Sequence, residues 1–209
     1  SGGLNSLKKF PQENFPSLIR LLGGSAFLSD ILIQEKDWPQ LFLRQIKTPR
    51  KTVAAHLAEL SRPLKKDLSP DHLARELRRY KRKEFLRIGA RDLSSLASVE
   101  ETVRELTGLA EASLEAAYRS CRSEAEKDFG LLHLRGKKEK NRFVVLGMGK
   151  LGGEELNFSS DIDIMYLYEE DEGESEGGTK GRATARKFFT GLAEKISRLV
   201  GDILEDGFV

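Results

Sequence analysis

Cysteine is nearly missing from this chain: Cys121 stands alone among 209 residues. An internal disulfide framework is therefore excluded, and a reducing compartment such as the cytoplasm is the expected location. Histidine is scarce too. His56, His72 and His133 show no metal-ligand spacing with one another or with Cys121, which argues against a structural zinc site. No apolar run approaches the roughly 20 residues of a membrane span, and the chain does not open on a basic stretch followed by an apolar one, so no membrane partner is expected. An excess of one charge is also lacking. Lys and Arg number 35 against 33 Asp and Glu, a net charge of +2. A generally basic nucleic-acid binder would not look like this, so no nucleic-acid partner is expected and any charged patch must be local.

What the chain does have is length for a sizeable core, as one large domain or two small ones, and helical periodicity over most of its first two thirds. In Ser25–Ile33, Phe27, Ile31 and Leu32 fall on one face. Pro39, Pro49, Pro63 and Pro70 punctuate short amphipathic segments, and Ser69-Pro70-Asp71 reads as a helix start, with serine as N-cap and proline at the first position. A second long helix is predicted from Ser98, where Ser-Val-Glu-Glu matches a capping box, to about Phe129, with Val103, Leu106, Leu109 and Leu114 as its stripe.

After residue 135 the character changes. Gly136–Asn141 is a charged turn, and Phe143–Leu146 is a short, fully apolar run of the kind that forms a buried strand. Asp161–Tyr168 alternates as a strand, with Ile162, Ile164, Tyr166 and Tyr168 opposite the aspartates. Residues 169–182 are acidic and glycine-rich and read as a mobile solvent loop. Ala183–Glu205 reads as a last amphipathic helix stopped by Asp206-Gly207, with Phe208-Val209 opening a strand. The expectation is an α+β chain, with a helical domain over 1–135 and a second, sheet-containing domain over 136–209.

The chemistry concentrates in residues 147–163, GMGKLGGEELNFSSDID. Strand residues at i and i+2 share a face, so Asp161 and Asp163 would aim two carboxylates at one spot. Paired oxygen anions suit magnesium, which binds through one or two carboxylates plus substrate phosphates. Glycine lets backbone approach a phosphate with no Cβ in the way. Gly147, Gly149 and Gly152 also spell the dinucleotide fingerprint, with Glu169 placed where a ribose-binding acid would stand, so a nicotinamide-dependent oxidoreductase is a rival reading. That fingerprint needs a crossover of a dozen residues or more between parallel strands, and only Gly153–Ser160 is available here. A phosphate-binding P-loop fails because leucine, not Ser or Thr, follows Lys150. A third reading is a helical interaction module whose glycine-aspartate block is inert.

Apolar-Gly-Gly followed by Asp-apolar-Asp-apolar resembles the signature of the polymerase β-like nucleotidyltransferases. More closely, GMGKLGGEELNFSSDIDIMYLY (147–168) resembles the glutamine synthetase adenylyltransferases, whose two catalytic domains each carry such a block. LRRYKRKEFLRIGARDL (77–93) looks like the helix upstream of each block, and the final helix with Phe188-Phe189 and Asp206-Gly207-Phe208-Val209 is similar too. The resemblance implies a mixed nucleotidyltransferase sheet with helices, incomplete at its C-terminus. It implies Asp161 and Asp163 as ligands of a two-magnesium site, with Gly152, Gly153, Lys150 and Ser160 contacting nucleotide or phosphate. Arg87 and Arg91 would brace the catalytic domain. The Gly-Met-Gly and Leu-Asn-Phe-Ser-Ser-Asp-Ile-Asp wording resembles the deadenylylating half, which takes AMP from a tyrosine of adenylylated glutamine synthetase onto phosphate and releases ADP. The adenylylating half, which moves AMP from ATP to the same tyrosine, is the alternative. Adenine nucleotide, phosphate and, for the longer enzyme, a PII-type signalling protein are the implied partners. The family's third acid lies on a strand after the Asp-Gly-Phe-Val position. Two of three metal carboxylates are therefore expected here, with weak nucleotide binding and poor catalysis.

Overall fold

The computed structural model describes residues 10–34, 38–61 and 70–204. After a single 3-10 turn, four short helices, α1 (Phe15–Gly24), α2 (Ala26–Gln34), α3 (Trp38–Lys47) and α4 (Val53–Ser61), precede two long ones, α5 (Pro70–Leu93) and α6 (Val99–Phe129). Strand β1 (Phe143–Gly147), the one-turn helix α7 (Gly149–Gly152), strand β2 (Ile164–Tyr168) and helix α8 (Ala185–Leu204) complete the order.

Side-chain caps account for several of these boundaries. A lone serine breaks α1 from α2: the Ser25 amide donates to Leu21 O at 3.1 Å, while Ser25 Oγ accepts from Leu28 N at 3.2 Å. Thr52 Oγ1 likewise accepts from Ala55 N at the start of α4. Ser98 caps α6 as predicted, accepting from Glu101 N at 3.2 Å. The Glu101 carboxylate, however, accepts from Arg91 at 2.8 Å, so this acid ties α6 to the end of α5. Gly130, at φ +81°, ends α6 in the left-handed region that glycine enters without strain. Ser69 and the Asp206-Gly207-Phe208-Val209 ending lie outside the described residues.

The core runs along α5, α6 and α8. Leu77, Leu86 and Ile88 meet Leu106, Leu109 and Ala112, and Phe188, Leu192 and Ile196 extend the same cluster. Within it sits an ionic group. Arg87 is fully buried; it donates to Glu84 at 2.7 Å, Glu105 at 2.5 Å and the Pro49 carbonyl at 3.2 Å. Lys51 closes the circuit, its ammonium on Glu59 and Glu84 at 2.8 Å each and its amide on Glu105 at 2.6 Å. Five hydrogen bonds thus compensate the three carboxylates, of which Glu84 and Glu105 are buried.

The strands pair antiparallel, from Phe143↔Tyr168 to Gly147↔Ile164. One face of this ribbon is an aromatic stack: Phe143 lies 5.9 Å from Tyr118 of α6 and 5.5 Å from Phe189 of α8, and Tyr168 lies 4.7 Å from Phe189. The other face is open, with Val144 48%, Leu146 40%, Met165 46% and Leu167 47% exposed. Phe143–Leu146, expected as a buried strand, is therefore covered on one face and open on the other. Helices cover a single side of the ribbon, so alternate residues face solvent.

Two further expectations change. Regular strand begins at Ile164, after both aspartates. Residues 169–182 are pinned rather than loose. Their backbone runs back along the end of α6, Gly177 N donating to Phe129 O at 2.8 Å, Thr179 N to Lys127 O at 3.1 Å and Lys180 N to Asp128 O at 2.7 Å. Ser175 is buried, and its hydroxyl accepts from Ala183 N at 3.0 Å. Acidic composition suggested solvation, but backbone hydrogen bonds to the preceding helix end decided the path.

Candidate active site

Gly147 ends β1 and the chain turns at once. Met148 N donates to the Asp163 carbonyl at 2.8 Å, extending the ladder one step beyond β2 and fixing the turn against the aspartate segment. Gly149 takes φ +52°, and a Cβ there would lie 3.6 Å from Asp163 Oδ2. The open side of Gly149 thus faces the Asp163 carboxylate. A Cβ on Gly152 would come within 2.5 Å of the Gly147 carbonyl oxygen, closer than any real side chain sits, so the turn can fold onto its own strand end only with glycine.

Residues 154–163 return the chain to β2. Glu155 N donates to Lys150 O at 2.8 Å, and the buried Leu156 anchors the loop, its amide on Thr107 Oγ1 of α6 at 3.3 Å. Phe158 packs edge-on against Phe85 of α5, ring centroids 5.4 Å apart, and a Cβ on Gly89 would lie 3.4 Å from its ring. The helix carrying the Arg-Ile-Gly-Ala-Arg-Asp-Leu wording thus supports the loop through Phe85 and Gly89. Arg87 and Arg91, expected as the braces, tie helix to helix instead: Arg87 holds Glu84 and Glu105, and Arg91 holds Glu101.

A turn at Asn157–Ser160 then presents the acids. Ser160 N donates to Asn157 O at 3.2 Å, and the buried Ser160 hydroxyl donates to Asn157 Oδ1. Lys150 Nζ reaches across from α7 and donates to Ser160 Oγ at 3.2 Å. Asp161 and Asp163 follow, both exposed, with Ile162 and Ile164 turned toward the core. Lys150 and Ser160 are thus in contact, and Asp163 lies against the glycine turn. Gly152 and Gly153 stand at the far end of the same turn. Asn157 and Thr107 were missed, although Asn-x-x-Ser before an acidic pair is a readable turn signal.

Two exposed carboxylates beside a hydroxyl are a hard-oxygen donor set of the kind magnesium takes. Among the described residues no group of three His, Cys, Asp or Glu is arranged to hold a metal ion. The dinucleotide reading is overturned. Its fingerprint requires parallel strands and a crossover helix, whereas β1 and β2 are antiparallel and α7 has four residues. Glu169, its proposed ribose acid, is held by Arg142 at 2.8 and 3.0 Å, which keeps its carboxyl below the usual range.

The family model described as glutamate-ammonia ligase adenylyltransferase matches residues 15–209. The chain belongs to this family. Among curated relatives, the bifunctional glutamine synthetase adenylyltransferase/adenylyl-removing enzyme of Pseudomonas aeruginosa is 33% identical over 210 residues, covering 100% of this chain and 21% of the relative. The enzymes of the same description from Burkholderia pseudomallei and Pseudomonas putida are 37% and 40% identical over 161 and 141 residues, covering 77% and 68% of this chain and 17% and 14% of those relatives. The chain thus spans about a fifth or less of the length of the relatives it matches. Its α+β architecture and the glycine-aspartate corner are the part of that family described above.

Proposed function

We propose that the chain supplies the adenylyl-removing site of a bifunctional glutamine synthetase-modifying enzyme. In this reading a phosphate oxygen attacks the phosphorus of AMP on the adenylylated tyrosine. The new P–O bond makes ADP, the bond to the tyrosine oxygen breaks, and the phenolate takes up a proton. The observation that carries the reading is the hydrogen bond from Met148 N to the Asp163 carbonyl at 2.8 Å, which sets the glycine turn beside the Asp163 carboxylate, in a chain of this family.

Asp161 and Asp163 would hold magnesium, which neutralises charge on the transferring phosphoryl group when bound. Lys150 is placed to contribute a point charge toward phosphate, and Ser160 to hold Lys150 in place. Gly149 leaves backbone open beside the Asp163 carboxylate, and Gly152 lets the turn fold tightly enough to hold it there. The remaining catalytic contribution is orientation and preorganised charge, with no covalent intermediate on the protein. The open apolar face of Val144, Leu146, Met165 and Leu167 continues from the aspartates along the ribbon, and suits a protein-borne substrate better than a free nucleotide. Met148 and the Asn157–Asp163 wording favour removal over addition of AMP, by resemblance.

The test is phosphate-dependent AMP release from adenylylated glutamine synthetase by the longer enzyme. Asp161→Asn or Asp163→Asn is expected to lower that rate on the order of 100-fold or more while AMP addition from ATP persists. Loss of addition with removal intact would assign this site to the adenylylating half. Retention of both activities would sink the carboxylate assignment.

A further inference from the structure

A second concave site lies away from the aspartate corner and shares no residue with it. Between α3 and α5 runs a cleft of about 1130 Å³, with α2 and α4 closing its ends. Arg44 projects from α3, and Arg75, Arg78, Arg79 and Arg82 line the α5 wall. Positions 75, 78, 79 and 82 follow the i, i+3, i+4, i+7 spacing of one helical face, a stripe roughly 10 Å long at 1.5 Å per residue. Like charges at that spacing repel, so the bare helix gains nothing from such a stripe.

Among the described residues the cleft supplies few counter-charges of its own. Its acidic lining residues among the described ones are Glu59 and Glu76. Glu59 is engaged by Lys51 at 2.8 Å and Lys83 at 3.8 Å, and Glu76 by Arg79 at 3.8 Å. Arg82 donates to an amide oxygen, that of Gln34, at 2.7 Å. Among the described residues, no carboxylate pairs with Arg44 or Arg75, which are both exposed at the rim. At the floor, Lys51 and Arg87 are already paired with Glu59, Glu84 and Glu105, so the positive field met by an anion comes from the arginines of the two walls.

We propose that this cleft is a binding site for the polyphosphate group of a small molecule. Guanidinium forks pair bidentately with phosphate oxygens, and Arg44, Arg75, Arg78, Arg79 and Arg82 set five of them along the two walls. The volume is close to that of small-molecule sites, about 300–1000 Å³. A stripe of roughly 10 Å suits a short run of linked phosphates, and walls on both sides enclose such a ligand more fully than a peptide backbone. The ligand would load α5, the helix whose Phe85 and Gly89 support Phe158 in the loop before Asp161.

Calorimetric titration of the 209-residue chain with inorganic triphosphate tests this, in EDTA so that no divalent metal bridges the ligand to Asp161 and Asp163. Saturable one-to-one binding is expected, weakened about tenfold by Arg44→Gln and again by Arg75→Gln. Both residues are exposed, and unchanged thermal melting of the variants would show the fold intact. Lys137→Gln/Lys138→Gln, a matched charge loss on a distant exposed turn, is expected to leave the affinity alone. Absence of saturable binding would overturn the proposal. So would equal weakening by the control pair, which would mean general electrostatics only. Tighter binding of a polyglutamate peptide than of triphosphate would overturn it in favour of an acidic protein partner.

Discussion

Met148 and Asp163 are joined backbone to backbone, amide to carbonyl at 2.8 Å, so the glycine turn and the acidic segment form one unit. The bond lies one residue past the last regular pair, Gly147↔Ile164. It holds the Asp163 carboxylate over Gly149 without using any side chain of the turn.

That unit predicts an ordering among glycine variants. Gly152→Ala puts a Cβ 2.5 Å from the Gly147 carbonyl, a backbone atom that cannot step aside. A destabilisation of about 1–3 kcal/mol is expected from urea unfolding, with loss of the AMP-removal activity proposed above. Gly153→Ala, whose nearest neighbour would be 3.4 Å away, is expected to cost clearly less. Equal losses would mean that the turn is not packed on the strand end as described.

The buried ion group predicts strong non-additivity. Arg87→Met leaves Glu84 and Glu105 short of a donor and is expected to destabilise by about 3–5 kcal/mol. Glu105→Gln removes one of those charges, so the double variant is expected to lose less than the two single losses together, as a double-mutant cycle in denaturant would show. Simple additivity would contradict the shared contact.

His56 predicts an acid-side loss of stability. Burial, reinforced by the nearby Arg87 and Lys51 cations and opposed by Glu84 and Glu59, lowers its pKa to about 4 from 6.5. Its Nδ1 lies 2.9 Å from the Tyr80 hydroxyl, and Nε2 is buried with no partner, so a second proton would have no acceptor. The unfolded chain therefore binds more protons between those two values. Stability is full above about pH 6.5 and falls as pH drops toward 4, by on the order of 1–3 kcal/mol. Melting temperatures across that range should fall more steeply for the parent than for His56→Gln; parallel curves would remove His56 as the cause.

The pinned segment after β2 predicts resistance to proteolysis. Lys180 and Arg182 are exposed trypsin sites, yet the backbone around them is bonded to the end of α6 and Lys180 pairs with Asp128 at 2.8 Å. Native cleavage there should be slow. Asp128→Ala is expected to quicken it about a few-fold, because local opening sets the rate. Rapid cutting of the parent chain would refute the pinning.

Local chemistry made much of this readable. The Ser98 cap, the α6 stripe and the buried Cys121, its thiol pushed up to about 11 by burial, all follow from residue type and spacing. The misreadings share one physical origin. Composition along 169–182 carries no trace of the α6 carbonyls that capture its amides, and an apolar tetrapeptide does not reveal how many of its faces will be covered. Arg87 was singled out correctly and assigned the wrong partner, since its carboxylate on α6 lies 18 residues away in sequence.

Residue order alone determined the helical face pattern, the glycines where a turn must fold tightly, and two acids spaced to share a side, because these depend on backbone sterics and periodicities of a few residues. Tertiary packing decided the rest. Antiparallel pairing removed the dinucleotide reading, Phe158 found its support on α5, and arginines that look like a solvated helix face became one wall of a cleft when α3 was laid beside them. Those outcomes depend on contacts between residues far apart in the chain, which no local spacing encodes.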